Sequence, residues 1–438
     1  MSVSAAAGIE PVADGFEICA RAVESRDPRF DGRVFVAVTS TGIYCRPVCP
    51  APMPMRSHIR FFTEASAAER AGFRACKRCR PGPRRDPFEP EPPATLVDRA
   101  LERLATVRGV QELARGLGVD AGRLRRAFVA TLGTTPSAVI RASRAGGQLS
   151  LALPFRAPLD AAGLLAFLGD RAIPGVEEAR GSTFSRSVST AHGSAVVSLT
   201  VEEEHARLDV AFEDVRSLPP TVRAARSLFD LDVDPAPVAR TLAADPVLRP
   251  LALAHPGHRL PGAADGLELA VRAIVGQQVS VAAARTMLGR IAVRSGTPLA
   301  GAIPMAFPSA ATLADAPLEE LGIIGRRASA IRRVAAMVAG GELDLSGSGD
   351  PDETVERLLE LEGIGPWTAE YIRMRALRDP DAFVWSDLGV RHAFERRGLD
   401  ATPRAIRARA EAWRPWRAYA TMLLWRTGGA DHPVLPGC

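Results

Sequence analysis

Four cysteines in two close pairs constrain the N-terminal part of this chain more than any other feature. Three residues separate Cys45 from Cys49, and two residues separate Cys76 from Cys79. Two such pairs can bring four thiolates to one tetrahedral ion, and sulfur-only ligation favours zinc. The spacing therefore predicts a single Zn²⁺ site. By spacing alone, the simplest role of this zinc is structural, in a domain too small to bury enough core without it.

The bulk properties indicate a soluble protein of several domains. The chain has 438 residues, 47% of them hydrophobic, and a net charge of +5. It has neither a long apolar run nor the basic and apolar regions of a signal peptide, so we expect a cytoplasmic protein with no membrane partner. The charge is more basic before residue 148 than after it. This suits an anionic polymer such as nucleic acid, although a solvated surface gives the same pattern.

Three breaks divide the chain and predict a multidomain protein, mainly α with α+β parts. They lie in the Pro-rich segment 81–93, at Arg144–Gly147 and in the Pro- and Gly-rich stretch His255–Gly266. Apolar spacing predicts short helices over 94–142 and nearly continuous helix from Leu267 onward. Between them, alternating runs predict strands mixed with one helix. The clearest examples are the strands Ala195–Val201 and Arg207–Phe212 and the helix Leu159–Leu168.

The residues around the cysteines resemble the zinc domain of Ada-type adaptive-response proteins. The resemblance covers nearly all of 14–82 and includes Thr41-Gly-Ile-Tyr-Cys-Arg-Pro-Val-Cys and Gly72-Phe-Arg-Ala-Cys-Lys-Arg-Cys. It implies that Cys45 accepts a methyl group irreversibly from a DNA methylphosphotriester. Zinc would hold the sulfur as thiolate, its nucleophilic form. Methylation would also reduce the negative charge of the centre, and less repulsion from phosphate would strengthen DNA binding.

A helix-turn-helix pattern begins at Val110 and places three arginines, Arg123, Arg125 and Arg126, on its second helix. They would face phosphate or base edges, although helix pairs without DNA contact share this pattern. With Thr131-Leu-Gly-Thr-Thr-Pro after it, the segment resembles the AraC-type module that follows the zinc domain in Ada proteins. That module has two helix-turn-helix units, and only one precedes the next domain here. No Pro-Cys-His-Arg motif of the Ada methyltransferase domain occurs.

The segment Leu361-Glu-Gly-Ile-Gly-Pro-Trp-Thr-Ala-Glu-Tyr-Ile has the pattern of a helix-hairpin-helix. Gly363 and Gly365 allow a tight turn whose backbone N–H groups can approach a DNA phosphate. Asp387 follows in Phe383-Val-Trp-Ser-Asp-Leu-Gly-Val-Arg. This layout resembles helix-hairpin-helix DNA glycosylases, and most closely the AlkA-type group of 3-methyladenine DNA glycosylases II. The resemblance runs from about Leu149 to beyond Leu424.

The resemblance implies that Asp387 is the catalytic carboxylate, acting on developing oxocarbenium charge or on water. Without it, an Asp after an apolar run predicts a helix N-cap. Trp367, Tyr371 and Trp425 occupy the positions of the family's base pocket, and Phe167 would join them from the small domain. Such a cleft would favour a cationic purine. Alternatively, Trp367 and Tyr371, four residues apart, could be core aromatics of one helix.

Two residue types that are missing, and one position that departs from the family pattern, refine this prediction. Bifunctional relatives form a Schiff base with a hairpin Lys, but Trp367 takes that place and the only Lys of the chain is Lys77. Relatives with an iron–sulfur cluster need four C-terminal cysteines, and only Cys438 is present. Gln278 stands where the relatives of the AlkA group insert an apolar wedge into the base stack, which changes how the gap left by the flipped base is filled.

We therefore predict a zinc phosphotriester sensor fused to a monofunctional glycosylase that releases 3-methyladenine or 7-methylguanine from double-stranded DNA. Zinc is the only cofactor, and the protein acts as a monomer. The alternatives are an alkylation-responsive regulator whose C-terminal half only holds DNA, and a fusion with an inert sensor. The expected domains are an Ada-type zinc domain (14–82), a partial AraC-type helix-turn-helix (94–147), an AlkA-type α+β domain with connecting helices (148–262) and an all-helical helix-hairpin-helix glycosylase domain (263–431).

Overall fold

The computed structural model describes residues 14–81, 92–323 and 325–426. Most of the predicted Pro-rich linker, the last residues of the predicted glycosylase domain and Cys438 lie outside these ranges. Within them the protein is multidomain and about half helical, as predicted. No helix among the described residues is long and apolar enough to cross a membrane.

The zinc segment is a four-stranded sheet flanked by two helices. Its strands lie in the order β3-β1-β2-β4, and only the β2–β4 pair is parallel. Helix α1 packs its Phe16 ring against Phe61 of the sheet, with 4.9 Å between ring centroids. The elements are α1 (Asp14–Ser25), β1 (Phe35–Val38), β2 (Ile43–Cys45), β3 (Ile59–Phe62), α2 (Ala65–Arg70) and β4 (Arg74–Ala75).

Four helices follow, and two of them form the predicted helix-turn-helix. The turn between them uses Gly118, which has a φ of +70°, and the second helix begins at its N-cap Asp120. Among the described residues, the last of the four helices leads directly into a strand, so one helix-turn-helix precedes the next sheet. The helices are α3 (Pro93–Arg103), α4 (Val110–Leu117), α5 (Ala121–Leu132) and α6 (Pro136–Arg144).

A five-stranded antiparallel sheet in the order β5-β9-β8-β7-β6 forms the small α+β region. The predicted helix at Leu159–Leu168 is present but shifted, because Asp160 caps it by accepting a hydrogen bond from the Gly163 N–H at 2.9 Å. The predicted strands are confirmed. The elements are β5 (Gln148–Pro154), α7 (Ala161–Asp170), β6 (Glu177–Arg180), β7 (Thr183–Thr190), β8 (Gly193–Val201) and β9 (His205–Phe212).

The rest of the described chain is helical, as predicted from Leu267 onward, except for one short β-hairpin, β10 (Thr297–Pro298) with β11 (Met305–Ala306). The connecting helices are α8 (Leu218–Leu228), α9 (Pro235–Ala244) and α10 (Arg249–Ala254). The helices that follow are α11 (Gly266–Val275), α12 (Val281–Ser295), α13 (Ala310–Ala314), α14 (Arg326–Ala339), α15 (Pro351–Leu359), α16 (Pro366–Arg375), α17 (Leu388–Glu395), α18 (Pro403–Ala410) and α19 (Arg417–Trp425).

The zinc segment and the helical region share one hydrophobic core. The Phe30 ring meets the edge of Trp416, with 5.3 Å between centroids. Beside it, the buried Arg29 guanidinium pairs with Asp27 at 2.7 Å and with Asp230 at 3.4 Å, and donates to the Tyr419 hydroxyl at 2.7 Å. Burying charges is costly unless they are paired. This polar cluster therefore fixes how the two segments are docked.

Candidate active site and zinc centre

The four cysteines predicted to bind zinc come together. One sulfur from each of Cys45, Cys49, Cys76 and Cys79 lies within 4.8 Å of the other three. Strand pairing explains part of this approach, because Tyr44 of β2 is the partner of Ala75 in β4 and the residue that follows each of them in the chain is a cysteine. Loop turns after each strand bring in the other two sulfurs.

The surroundings of these sulfurs suit thiolates. The backbone N–H of Arg46 donates to the Cys79 sulfur at 3.3 Å. A hydrogen bond from Cys45 lowers the pKa of Cys79 to about 5, and the same bond, together with burial, raises the pKa of Cys45. Four soft sulfur donors and nearby N–H groups fit one Zn²⁺. Cys19, on α1, is not part of this cluster.

The helix-hairpin-helix is formed by α15 and α16. Gly363 in the turn has a φ of +92°, and a Cβ there would lie 3.2 Å from the Arg326 carbonyl oxygen, so a side chain would be both strained and crowded. Gly365 is the N-cap of α16, whose first turn presents free backbone N–H groups. This is the local geometry expected of a phosphate anchor.

Asp387 lies at the N-terminus of α17 with its side chain 4% exposed. One oxygen, Oδ1, accepts hydrogen bonds from the Val390 N–H at 3.0 Å and from the Trp425 indole at 2.7 Å. The other, Oδ2, accepts from the Trp367 indole at 3.0 Å. Asp387 is thus a helix cap, as its local sequence suggests, but two indoles of the cleft also orient it.

The four aromatics predicted to line a pocket lie together, and two of them, Trp367 and Trp425, contact this carboxylate. The Phe167 and Trp425 rings are within 5° of parallel, with centroids 6.4 Å apart, close to the spacing that admits a flat ring between two others. Trp367 stacks on Tyr371 at 5.1 Å, and Tyr371 lies 6.3 Å from Trp425. Trp367 and Tyr371 are also buried, so they serve the core and the cleft at once.

The loop before α12 connects the cleft to the hairpin. The Gln277 side-chain amide donates to the Gly363 carbonyl at 2.9 Å and to the Thr368 hydroxyl at 3.0 Å. The next residue, Gln278, is exposed and has a φ of +56°. A side chain held in this left-handed conformation projects from the protein next to the hairpin. Sequence reasoning identified Gln278 but not the anchoring role of Gln277.

The arginines of the helix-turn-helix lie apart from this cleft on α5. Arg125 and Arg126 are exposed, and Arg123 is half-buried. The helix packs on α3 and α8, and it belongs to a second hydrophobic core that also includes the small sheet. Arg125 and Arg126 thus give this helix an exposed basic face.

Two residues of the cleft were missed by sequence reasoning. The guanidinium carbons of Arg171 and Arg375 lie 4.0 and 4.8 Å from the centroid of the Phe167 ring. Arg375 also donates to the Tyr371 hydroxyl at 3.0 Å and is 4% exposed. Burial lowers the pKa of both guanidiniums. Their i, i+4 spacing from Phe167 and Tyr371 was the available signal.

Three family models match successive parts of the chain. They describe the metal binding domain of Ada (residues 18–82), the AlkA N-terminal domain (150–265) and the HhH-GPD superfamily base excision DNA repair protein (271–418). A Mycobacterium tuberculosis protein described as a bifunctional transcriptional activator/DNA repair enzyme AlkA is 38% identical, over 96% of this chain and 98% of its own length. The chain belongs to this AlkA family.

The glycosylase part has further relatives. DNA-3-methyladenine glycosylase 2 of Escherichia coli is 34% identical to this AlkA-family chain over 63% of the chain and 97% of its own length. Among solved structures, the 3-methyladenine DNA glycosylase of Archaeoglobus fulgidus matches with a TM-score of 0.57 and 22% identity, over 64% of this chain and 97% of that one. The predicted union of an Ada-type zinc domain and an AlkA-type glycosylase is confirmed.

Proposed function

We propose that this AlkA-family protein is a monofunctional DNA glycosylase that hydrolyses the N-glycosidic bond of alkylated purines in double-stranded DNA. The supporting observation is the buried Asp387 carboxylate, held by two indoles at one end of an aromatic cleft and close to a helix-hairpin-helix. The hairpin turn at Gly363 and Gly365 would bind the backbone, and Gln278 would enter the stack as the damaged base turns out into the cleft.

In this reaction the C1′–N bond of the flipped nucleotide breaks and its electron pair leaves with the base. A purine that alkylation has made cationic leaves as a neutral base, the water oxygen bonds to C1′, and one water proton is released to solvent. Asp387 stabilises the oxocarbenium charge at C1′. Three N–H donors fix its orientation, so this charge is in place before the bond breaks. With Trp367 in the hairpin and no Lys after Lys77, no Schiff base forms and the product is an abasic site.

The decisive experiment compares base release from methylated duplex DNA by the wild type and by Asp387→Asn, with chromatography of the freed bases. An amide oxygen still caps α17 but carries no charge, so we expect release to fall by at least about a hundredfold. Asp234→Asn is the matched control, because Asp234 also caps a helix, accepting from the Ala236 N–H at 3.0 Å. If folded wild-type protein releases no base, the C-terminal half only holds DNA.

We also propose that Cys45 is the methyl acceptor of the zinc domain. Its sulfur would attack the methyl carbon of a methylphosphotriester, forming an S–C bond as the C–O bond breaks and the phosphodiester anion departs. Zinc held by Cys45, Cys49, Cys76 and Cys79 would keep the sulfur deprotonated. Mass spectrometry after incubation with triester DNA should find one methyl group on Cys45, none in Cys45→Ser and unchanged transfer in Cys19→Ser.

The exposed face of α5 supports a third, auxiliary role in binding DNA. Arg123, Arg125 and Arg126 would contact phosphates, increasing affinity without selecting a sequence. We also propose that the protein is a cytoplasmic monomer, because flipping and releasing one base requires only one active site. Triple replacement of these arginines by Gln should weaken binding to undamaged duplex and flatten its salt dependence. Base release at saturating enzyme should not change.

A further inference from the structure

Helix α19 joins the docked zinc segment to the carboxylate of the cleft. At the last residue of this helix, the Trp425 indole donates to Asp387 at 2.7 Å. At its other end, the Trp416 ring contacts Phe30 of the zinc segment, and Tyr419 follows three residues later. The helix has nine residues, so it is only about 13 Å long. Because so short a helix moves as one body, a displacement at its first turn also displaces the indole at its end.

The first turn of α19 is held by Arg29 of the zinc segment. The Arg29 guanidinium donates to the Tyr419 hydroxyl at 2.7 Å and pairs with Asp27 at 2.7 Å and with Asp230 at 3.4 Å. The Tyr419 hydroxyl in turn donates to Asp230. The Arg29 side chain is 11% exposed, and those of Asp27 and Asp230 are 2% and 1% exposed. Water therefore has little access to these groups and is a poor replacement for the guanidinium.

Removing the guanidinium would disturb the whole polar cluster. Asp230 would keep the Tyr419 hydroxyl as a donor and Arg378 as an ion-pair partner at 3.9 Å. Asp27 would lose the two hydrogen bonds that the Arg29 side chain donates to it. Buried carboxylates whose pairing is weakened are costly. We expect the cluster to rearrange toward water or other donors, and Tyr419 to move with it.

The second helix whose indole holds Asp387 is also contacted from the zinc segment. Trp367, in the first turn of α16, donates to Asp387 at 3.0 Å. Arg373, in the last turn of the same helix, pairs with Asp379, and Asp379 pairs with Arg33 of the zinc segment. The zinc segment thus reaches both helices that supply an indole, in each case at the end opposite the cleft. The contact at Arg33 keeps the segment docked when Arg29 alone is changed.

We propose that Arg29 is a positioning residue for base release, which acts from the zinc segment through Tyr419 and α19 to keep the Trp425 indole on Asp387. The inference rests on the proposed glycosylase function and adds to it a residue outside the glycosylase domain. It implies that the zinc segment contributes to base release even on DNA that carries no phosphotriester. A misplacement of about 1 Å caused far from the chemistry can slow a reaction about a hundredfold, so partial loss of this alignment is measurable.

The test measures single-turnover release of bases from methylated duplex DNA by the full-length protein. Arg29→Met removes the charge and keeps an unbranched side chain, and Arg29→Lys restores the charge. Phe61→Leu is the matched control, because Phe61 is fully buried against Phe16 within the zinc segment and its truncation weakens that segment from inside. Thermal melting verifies that each variant is folded. Tyr419→Phe, which removes only the hydroxyl, replaces Arg29→Met if that variant does not fold.

We expect Arg29→Met to slow base release about fivefold without changing the affinity for undamaged duplex, and Arg29→Lys to recover most of the rate. Phe61→Leu should lower the melting temperature and leave the rate unchanged. The sharpest comparison uses Trp425→Phe, which removes the hydrogen bond to Asp387 itself. Because Arg29 acts through that hydrogen bond, the double variant of Arg29→Met and Trp425→Phe should be no slower than Trp425→Phe alone.

Three results would overturn this inference and leave the proposed function standing. The first is a wild-type rate in folded Arg29→Met. The second is equal slowing by Phe61→Leu, which would attribute the effect to lost stability of the zinc segment. The third is a double variant in which the two single effects multiply, because Arg29 would then act by a route that does not include the Trp425 indole. Failure of folded wild type to release any base instead refutes the proposed function.

Discussion

Arg33 of the zinc segment and Asp379, just after α16 of the helical region, form a two-pronged ion pair across 346 residues of chain. Their nitrogen and oxygen atoms pair at 3.2 Å in both contacts. The Asp379 side chain is fully buried, and Arg373 pairs with it from the other side at 2.7 Å. Although burial by itself would raise it, the two guanidiniums lower the pKa of Asp379 to about 2. The zinc segment is therefore joined electrostatically to the hairpin helix.

Replacing Arg33 with Gln should destabilise the protein. It leaves Asp379 with Arg373 as its remaining ion-pair partner and the Asp381 N–H as a hydrogen-bond donor. The expected loss in the free energy of unfolding is about 1–2 kcal/mol. Urea denaturation followed by tryptophan fluorescence measures it. Arg56→Gln is the control, because the Arg56 pair with Glu17 is half exposed and contributes little. Equal stability of the wild type and Arg33→Gln would show that the pair contributes nothing net.

The same pair predicts a pH dependence. The folded-state pKa of Asp379 lies below its ordinary value of 3.8, so its stabilisation is complete above about pH 4 and is lost as the pH falls toward 2. The stability difference between the wild type and Arg33→Gln should therefore shrink over this acid range. Melting temperatures in a pH series test the expectation. A constant difference down to pH 2 would assign the destabilisation to lost packing.

Removing zinc should affect both halves of the protein. The zinc segment contributes to the main core, and its Phe30 and Arg29 contact Trp416 and Tyr419 directly. A chelator that unfolds the segment should expose these residues and lower the melting temperature of the glycosylase region as well. Calorimetry with and without chelator measures the shift. Cys19→Ser, which leaves the four ligands intact, should melt like the wild type, and an unshifted glycosylase transition would contradict the coupling.

Loss of one indole donor should slow catalysis without abolishing it. Trp425→Phe keeps an aromatic ring opposite Phe167 but removes the N–H that donates to Asp387 at 2.7 Å. Because Trp367 and the Val390 N–H still hold the carboxylate, we expect about a tenfold fall in single-turnover rate. Trp385→Phe, which alters a ring stacked on Arg407 outside the cleft, is the control. An unchanged rate in Trp425→Phe would mean that the Trp425 ring contributes packing but that its hydrogen bond to Asp387 does not affect catalysis.

Gln278 should matter only when a base must be extracted from a stack. Gln278→Ala removes the side chain that would fill the gap, so release from duplex DNA should fall about tenfold, while release from single-stranded DNA stays nearly constant. Rates on the two substrates with the same lesion provide the comparison. If Gln278→Ala slows base release equally from duplex and single-stranded DNA, Gln278 only stabilises the conformation of its loop.

The features that could be predicted from the sequence are those that short segments of the chain determine by themselves. The cysteine pairs, the hairpin glycines and Asp387 each depend on spacing within a few dozen residues, and their chemistry admits few alternatives. For Asp387, the two readings of the sequence, helix cap and cleft carboxylate, both describe the structure. A single oxygen performs the capping while two indoles orient the group.

The features that the sequence could not predict arise where segments that are far apart in the chain come close together in the fold. In the sequence, Arg171, just after α7, and Arg375, at the end of α16, look like ordinary charged positions. Their shared contact with the Phe167 ring arises only when the fold brings these two positions together. Likewise nothing near Arg33 or Asp379 indicates that they meet. The shift of α7 is different in origin, since a local cap decides where that helix starts. The contacts of charged side chains between separate segments are therefore the features that only the structure shows.

The Arg33–Asp379 pair also has a consequence for how such a gene can change. A recombination event that removed the zinc segment would leave the Asp379 carboxylate of the glycosylase with Arg373 but without Arg33. A substitution that neutralises position 379 would offset part of the stability lost with that segment. The stability of the glycosylase half thus depends partly on a residue of the zinc segment, which favours keeping the two segments in one gene.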